Sequence, residues 1–291
     1  MAKIAIAADT NSGISPEEAA QLGIFVLSMT FTVNDKDFKE FIDLKHTEFY
    51  AMLADSKTTV STTQPSPGEL TEFWNHILEE YDQLIYIPMS SGLSSSCQTA
   101  KILAESDFEG KVFVVDNHRI SVTQYQSVID AKAMADQGRS AEEIRAVLEA
   151  DAAESSIYIM VNRLTYLKRG GRVTAAGALI ANIMNLKPVL QIQGEKLDAY
   201  SKCRGTKAAK QSMLEAMKKD FEGRFSRYIA DGSMTLHFSY SDMTVFEVES
   251  WKADIMEAFP GFKLHGSPLS LSVGCHIGPG SLAIACAKSS S

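Results

Sequence analysis

Leu84-Ile85-Tyr86-Ile87-Pro88-Met89-Ser90-Ser91-Gly92-Leu93-Ser94 reads as a strand, a turn and the entry to a helix. The apolar run ends at Pro88-Met89, glycine follows, and the serines lead into a helical stretch from Ser94 to Ala104 whose first free amides need acceptors. Upstream, Lys3 to Ala8 reads as a short buried strand and Asp9-Thr10-Asn11-Ser12-Gly13 as a turn. Ser15-Pro16-Glu17-Glu18 then supplies the N-cap, proline and acidic first turn of a helix through Leu22. Ile24 to Phe31 and Lys111 to Val115 read as further strands, with helices near Thr47 to Leu53 and Gly68 to Leu78. This alternation predicts an N-terminal α/β domain, a mainly parallel sheet flanked by helices. Ligands of such sheets sit beyond the carboxyl ends of the strands, where Ser90 to Ser94 and Asp116 to Ser121 both fall.

Val122 to Gln137 and Ser140 to Ala150 continue as helices, the second opened by the capping box Ser140-Ala141-Glu142-Glu143. Asp151 to Ser156 reads as a boundary, giving an N-terminal domain over residues 1–153 and a mixed α+β domain over residues 154–291. In the second half, strands are expected at Ile157 to Val161, Val189 to Gln193, Met234 to Tyr240, Lys263 to Leu271 and Ser281 to Ala287. Between them come the basic glycine loop Lys168-Arg169-Gly170-Gly171-Arg172 and helices at Thr174 to Met184, Thr206 to Met217 and Val245 to Phe259. Ser289 to Ser291 is expected to fray.

A chain of 291 residues exceeds what one core usually serves, which agrees with two domains. Its net charge of -8 opposes attraction to nucleic acid or to an acidic membrane surface. No apolar run reaches the ~18 residues of a membrane span, so a cytoplasmic protein is expected, with membrane contact at most transient. Cys97, Cys203, Cys275 and Cys286 have no metal or redox spacing; they read as idle thiols, and neither metal nor cofactor is expected.

Three distant segments pair hydroxyls with glycine-exposed amides: Thr62-Thr63-Gln64-Pro65, Ser90 to Ser94, and His276-Ile277-Gly278-Pro279-Gly280. Such sets grip anions, because amides freed by a glycine turn, hydroxyls and a helix N-terminus all donate. Ser94 is expected in the N-cap region of its helix. His276 is expected on a sharp turn outside any helix, with the glycines letting its ring approach an anion. Lys168 to Arg172 resembles a phosphate-binding nest with Arg204-Gly205 as a second basic turn, but it lacks the P-loop pattern. Ordinary turns, caps and a solvated basic loop explain each segment equally well in isolation. Two enzymatic readings also stand. One is a serine hydrolase acting on acyl esters through Ser94 and His276; the other is a phosphotransfer or sugar-phosphate enzyme with Asp9 or Asp116 as acceptor and Lys168 to Arg172 as clamp.

Taken together, these residues make the chain resemble the DegV family of bacterial fatty-acid-binding proteins. Thr62-Thr63-Gln64-Pro65-Ser66 is close to the family's Thr-Ser-Gln-Pro. The other matches are Ser90-Ser91-Gly92-Leu93-Ser94 with Gln98, Leu167 to Arg172, Arg204-Gly205 and Gly274 to Gly280. The resemblance implies a two-domain protein that encloses one long-chain fatty acid between its domains. It places the carboxylate on Thr62, Ser94 and His276, with Gly92 and Leu93 of the Ser94 loop also among the carboxylate-binding residues. It further implies a carrier with no catalytic residues, whose partner is a fatty acid kinase that phosphorylates the bound carboxylate for phospholipid synthesis. Lys168, Arg169, Arg172 and Arg204 would then meet the head group, its phosphate or the kinase. Asp9-Thr10-Asn11 departs from the family's Asp-Ser-Thr, and Ser95-Ser96-Cys97 from Gly-Thr-Tyr. Gln124 and Tyr125, near positions where the family carries glycine, are expected to narrow or redirect the acyl tunnel.

Overall fold

The structure, a computed structural model, describes residues 2–55, 57–170, 186–194 and 197–291, the side chains of residues 168–170 excepted. The expected helix from Thr174 to Met184 lies outside the described residues. The strands are β1 (Ile4–Asp9), β2 (Phe25–Leu27), β3 (Thr30–Val33), β4 (Lys36–Lys39), β5 (Val60–Thr62), β6 (Gln83–Ile87), β7 (Val112–Val114), β8 (Ser155–Met160), β9 (Leu186–Ile192), β10 (Leu197–Arg204), β11 (Met234–Ser241), β12 (Leu264–Pro268) and β13 (Ser281–Lys288). The described α-helices are α1 (Pro16–Leu22), α2 (His46–Leu53), α3 (Pro67–Leu78), α4 (Ser96–Asp107), α5 (Val122–Asp136), α6 (Ala141–Ala150), α7 (Thr165–Gly170), α8 (Thr206–Glu222), α9 (Ser226–Ala230), α10 (Val245–Ala258) and α11 (Leu271–Ile277). None of them is long and apolar enough to cross a membrane.

The first sheet runs β2-β1-β6-β7, every pair parallel. Its strands are apolar without interruption because both faces are covered. Ala5 and Ala7 of β1 pack toward Leu70, Trp74 and Leu103 of α3 and α4. Ile6 and Ala8 point the other way, onto Val128, Met134 and Ile144 of α5 and α6. The second sheet runs β10-β9-β8-β13-β11-β12 and is antiparallel except for β11 with β12. One face carries Met213, Met217 and Trp251 of α8 and α10 against Tyr158, Met160 and Ile284. The opposite face turns Ile157, Ile159, Leu190 and Ala283 toward Ile120, Val122, Met89 and Leu93 of the first half.

Several expectations are revised. Ile24 to Phe31 is two strands, not one: the chain leaves β2 at Ser28-Met29 and enters the hairpin β3–β4. That hairpin turns on Asn34 and Asp35 at φ 48° and 61°, values that a two-residue hairpin turn demands and that Asn and Asp tolerate. Ahead of Thr62-Thr63-Gln64-Pro65 the chain forms β5, not expected from the sequence, which pairs with β3 and sets Thr62 opposite Phe31. The strand expected over Lys263 to Leu271 stops at Pro268, because Ser270 caps α11 by accepting from Val273 N. The C-terminal serines do not fray: Ser289 Oγ donates to Asp130 Oδ1 at 2.9 Å and Ser290 N to Asp130 Oδ2 at 3.0 Å.

Candidate functional site

Where β6 ends, Ser90 N donates to Arg119 O at 2.8 Å, and the N–H groups of Leu93 and Ser94 fold back onto Ser90 O. The N-cap of α4 is Ser95, one residue later than expected. Ser94 Oγ still serves the helix start by accepting from Ser96 N at 3.1 Å. Asp9, at the end of β1, ties this turn to the first strand through Met89 N at 2.9 Å. Gln124 Nε2 reaches Asp9 Oδ1 at 3.1 Å and Ile87 O at 2.9 Å, locking the ends of β1 and β6 together.

Beside these strand ends lies a cavity of about 290 Å³, bounded by both halves of the chain. Its apolar wall includes Ile157, Ile159, Ile192, Leu197 and Ala283 from the second sheet, with Met89, Leu93 and Ile120 from the first half. Its polar wall includes Thr62, Ser94, His276, Asn11, Ser121 and Ser272. Among the described residues, no Asp, Glu, Lys or Arg lines it. Positive potential comes instead from the starts of α4 and α5, where Ser94, Ser95 and Ser121 line the space. An apolar body edged by uncharged donors suits an amphiphile with an acidic head.

Thr62 Oγ1 and His276 Nε2 are 2.9 Å apart, joining residues 214 positions distant in sequence. Contrary to expectation, His276 sits in the last turn of α11. Ser272 and His276 follow at i, i+4, as do Val273 and Ile277, so one helix presents a polar and an apolar row to the cavity. The glycines beyond it serve packing. Gly278, at φ 74°, admits the Tyr166 ring, which a Cβ there would meet at 2.3 Å.

Gly92 is outside the cavity lining, its N–H given to Ser90 Oγ at 3.2 Å. Lys168 and Arg169 end helix α7 rather than forming a loop, directly after Leu167, which lines the cavity. Arg204 closes β10 as an exposed residue outside the lining. Arg172 lies outside the described residues. Gln124 and Tyr125 do not narrow the cavity: Gln124 is spent on the strand ends, and Tyr125 stacks on His265 with centroids 3.9 Å apart. Asn11, Ser121 and Ser272 were not singled out from the sequence. The signal for the first two was their place after β1 and before α5, at the crevice where strand order reverses between β1 and β6.

The enzymatic readings find little support in this geometry. Among the described residues no carboxylate lines the cavity beside Ser94 and His276, where a hydrolytic triad would place its acid. Asp9 is fully buried, with both oxygens taken by Met89 N, Asn11 N and Gln124, and burial pushes its carboxyl upward. Asp116 is raised by partial burial, but Ser91, Lys101 and His118 outweigh that and hold it below the usual range; it does not line the cavity.

Glu40 governs how α11 is seated. Its carboxylate accepts from Leu271 N, the first residue of α11, and from Thr10 Oγ1 at 2.9 Å. Burial pushes its carboxyl from 4.5 up to about 8. In that interval the folded protein keeps a proton that the unfolded chain releases. The stabilisation is therefore complete below pH 4.5 and lost as pH rises through 8. Thermal melts from pH 5 to 9 are expected to show wild type losing stability relative to Glu40→Gln, on the order of a few kcal/mol, since groups common to both proteins, such as His237 held low by burial, cancel in the difference. Parallel curves for the two proteins would contradict this assignment.

The sequence profile of a family described as "Uncharacterised protein, DegV family" matches residues 3–289. A DegV domain-containing protein of Caldanaerobacter subterraneus subsp. tengcongensis is 32% identical over 218 residues, covering 75% of this chain and 78% of its own. The structure of a DegV family protein from Thermus thermophilus, described as binding fatty acid, is 26% identical. It superposes with a TM-score of 0.86 over 98% of this chain and 99% of that one. DegV from Bacillus subtilis, described as a fatty acid binding protein, shares the fold at 24% identity and a TM-score of 0.84, over 99% of this chain and all of its own (100%).

Proposed function

The chain belongs to the DegV family, and on that premise we propose that it binds one long-chain fatty acid in the cavity and presents the carboxylate to a fatty acid kinase. One observation carries the reading: a cavity with an apolar wall from the second sheet and the connections beyond the first, and a polar wall of uncharged donors. Residues 1–153 and 154–291 act as the two domains that enclose the chain. Thr62, Ser94 and His276 hold the carboxylate, with Leu93 beside it and Gly92 shaping the loop. Lys168, Arg169, Arg172 and Arg204 supply the cationic surface that meets the phosphate or the kinase. The protein is a carrier; the kinase supplies the chemistry, and phospholipid synthesis consumes the acyl phosphate.

Burying ~15 methylenes at ~0.8 kcal/mol each offers on the order of 12 kcal/mol gross, of which association and chain ordering take back a large part. The tail thus supplies affinity and the head group supplies direction, since a carboxylate without donors would be strongly disfavoured in such a space. Native mass spectrometry of the recombinant protein is expected to show a mass increment of one long-chain fatty acid. Incubating the loaded protein with a fatty acid kinase and ATP is expected to yield an acyl phosphate that hydroxylamine traps. Protein that arrives empty and binds neither palmitate nor oleate would reject the carrier reading; binding without phosphorylation would reject only the kinase partnership.

A further inference from the structure

Asn11 and Ser121 line the cavity, are only 2% and 5% exposed, and leave Asn11 Nδ2 and Ser121 Oγ without a protein hydrogen-bond partner. Buried polar atoms are rarely left so, and those that are call for something outside the chain. The Asn11 side chain helps hold down the Asp9 carboxyl, which Met89 N, Asn11 N and Gln124 already bond, and Ser121 Oγ has no local use. Ser121 is the N-cap residue of α5, where a serine hydroxyl ordinarily accepts from the first turn, yet it makes no such bond. It is also held at φ 56° and ψ -138°, a conformation that costs energy for any residue with a side chain.

Asn11 is fixed beside it, because Ser121 N donates to Asn11 O at 2.9 Å. The amide oxygen of Asn11 accepts from Ser272 Oγ at 2.6 Å and Ser270 Oγ at 3.3 Å. Whichever way that amide is turned, the two serines engage one end and leave the other over. Ser272 precedes His276 by one turn of α11, about 6 Å at ~1.5 Å per residue, so this second polar spot lies close to the head-group residues. The wall built from Ile157, Ile159, Ile192 and Leu197 offers a ligand no side-chain polar partner.

We propose that the cavity prefers acyl chains bearing a hydroxyl near the carboxyl end, with Asn11 and Ser121 as the partners of that hydroxyl. The inference rests on the fatty-acid reading and narrows its ligand class. A hydroxyl both donates and accepts, which matches a serine hydroxyl and an amide end. A second carboxylate fits poorly, since no Lys or Arg lines the cavity among the described residues.

The test measures dissociation constants of the full chain for palmitate, 3-hydroxypalmitate, 5-hydroxypalmitate and 15-hydroxypalmitate. At least one carboxyl-proximal isomer is expected to bind about ten-fold tighter than the distal one, whose hydroxyl would lie out of reach of Asn11 and Ser121. Ser121→Ala and, independently, Asn11→Ala are expected to shrink that ratio about ten-fold, each variant first shown by its melting curve to be folded. Palmitate binding with no preference for a proximal hydroxyl, or a preference that survives both substitutions, overturns this inference alone. Failure of every acyl chain, palmitate included, overturns it together with the fatty-acid reading.

Discussion

Replacing Thr62 and Ser94 together by alanine is expected to weaken binding of palmitate by more than about 100-fold, since each hydrogen bond to a charged group is worth roughly 1.5–3 kcal/mol. The two hydroxyls arrive from unrelated places, Thr62 on the edge strand β5 and Ser94 after β6, and both line the cavity. Thr62 is additionally within 2.9 Å of His276 Nε2, so its loss also removes a partner of the imidazole. Thr62→Ser keeps the hydroxyl and is expected to retain most of the affinity. Displacement of a fluorescent fatty acid reads the change, and a melting curve guards against misfolding. An unchanged dissociation constant in the folded double variant would mean that the carboxylate lies elsewhere.

A second large effect is expected from the opposite wall. Ala283 lies on β13, pairs with Ile159 of β8, and lines the cavity at 1% exposure. Ala283→Leu places three further carbons where acyl methylenes would lie. At ~0.8 kcal/mol per displaced methylene, palmitate is expected to lose roughly 50-fold in affinity while laurate changes little. The head-group substitutions are expected to weaken all chain lengths alike. A uniform loss in Ala283→Leu would show that the tail does not run past this strand.

The parallel half of the fold was legible because its signals are local: apolar runs such as Leu84 to Ile87, turn residues after them, and serine caps at Ser15, Ser66 and Ser140. Thr62, Ser94 and His276 stood out as hydroxyl and glycine segments, and the structure gathers them at one cavity. Helix α11 did not stand out. Val273, Gly274 and Cys275 are poor helix formers, and what holds the segment is packing, with Gly274 so close to Tyr50 that a Cβ would lie 2.7 Å from its hydroxyl. The role assumed for Gln124 failed for a related reason. Nothing local reveals that a side chain will reach Asp9 and Ile87, 115 and 37 residues away.

The pairing of Thr62 with His276 across 214 residues has a consequence for biosynthesis. A polypeptide still leaving the ribosome would display Thr62 and Ser94 long before α11 exists to complete the cradle. Occupancy by lipid would then certify that translation and assembly are finished. Because a ligand that binds only the completed fold stabilises it by mass action, a supply of free fatty acid would shield this protein from proteolysis in step with demand for its service.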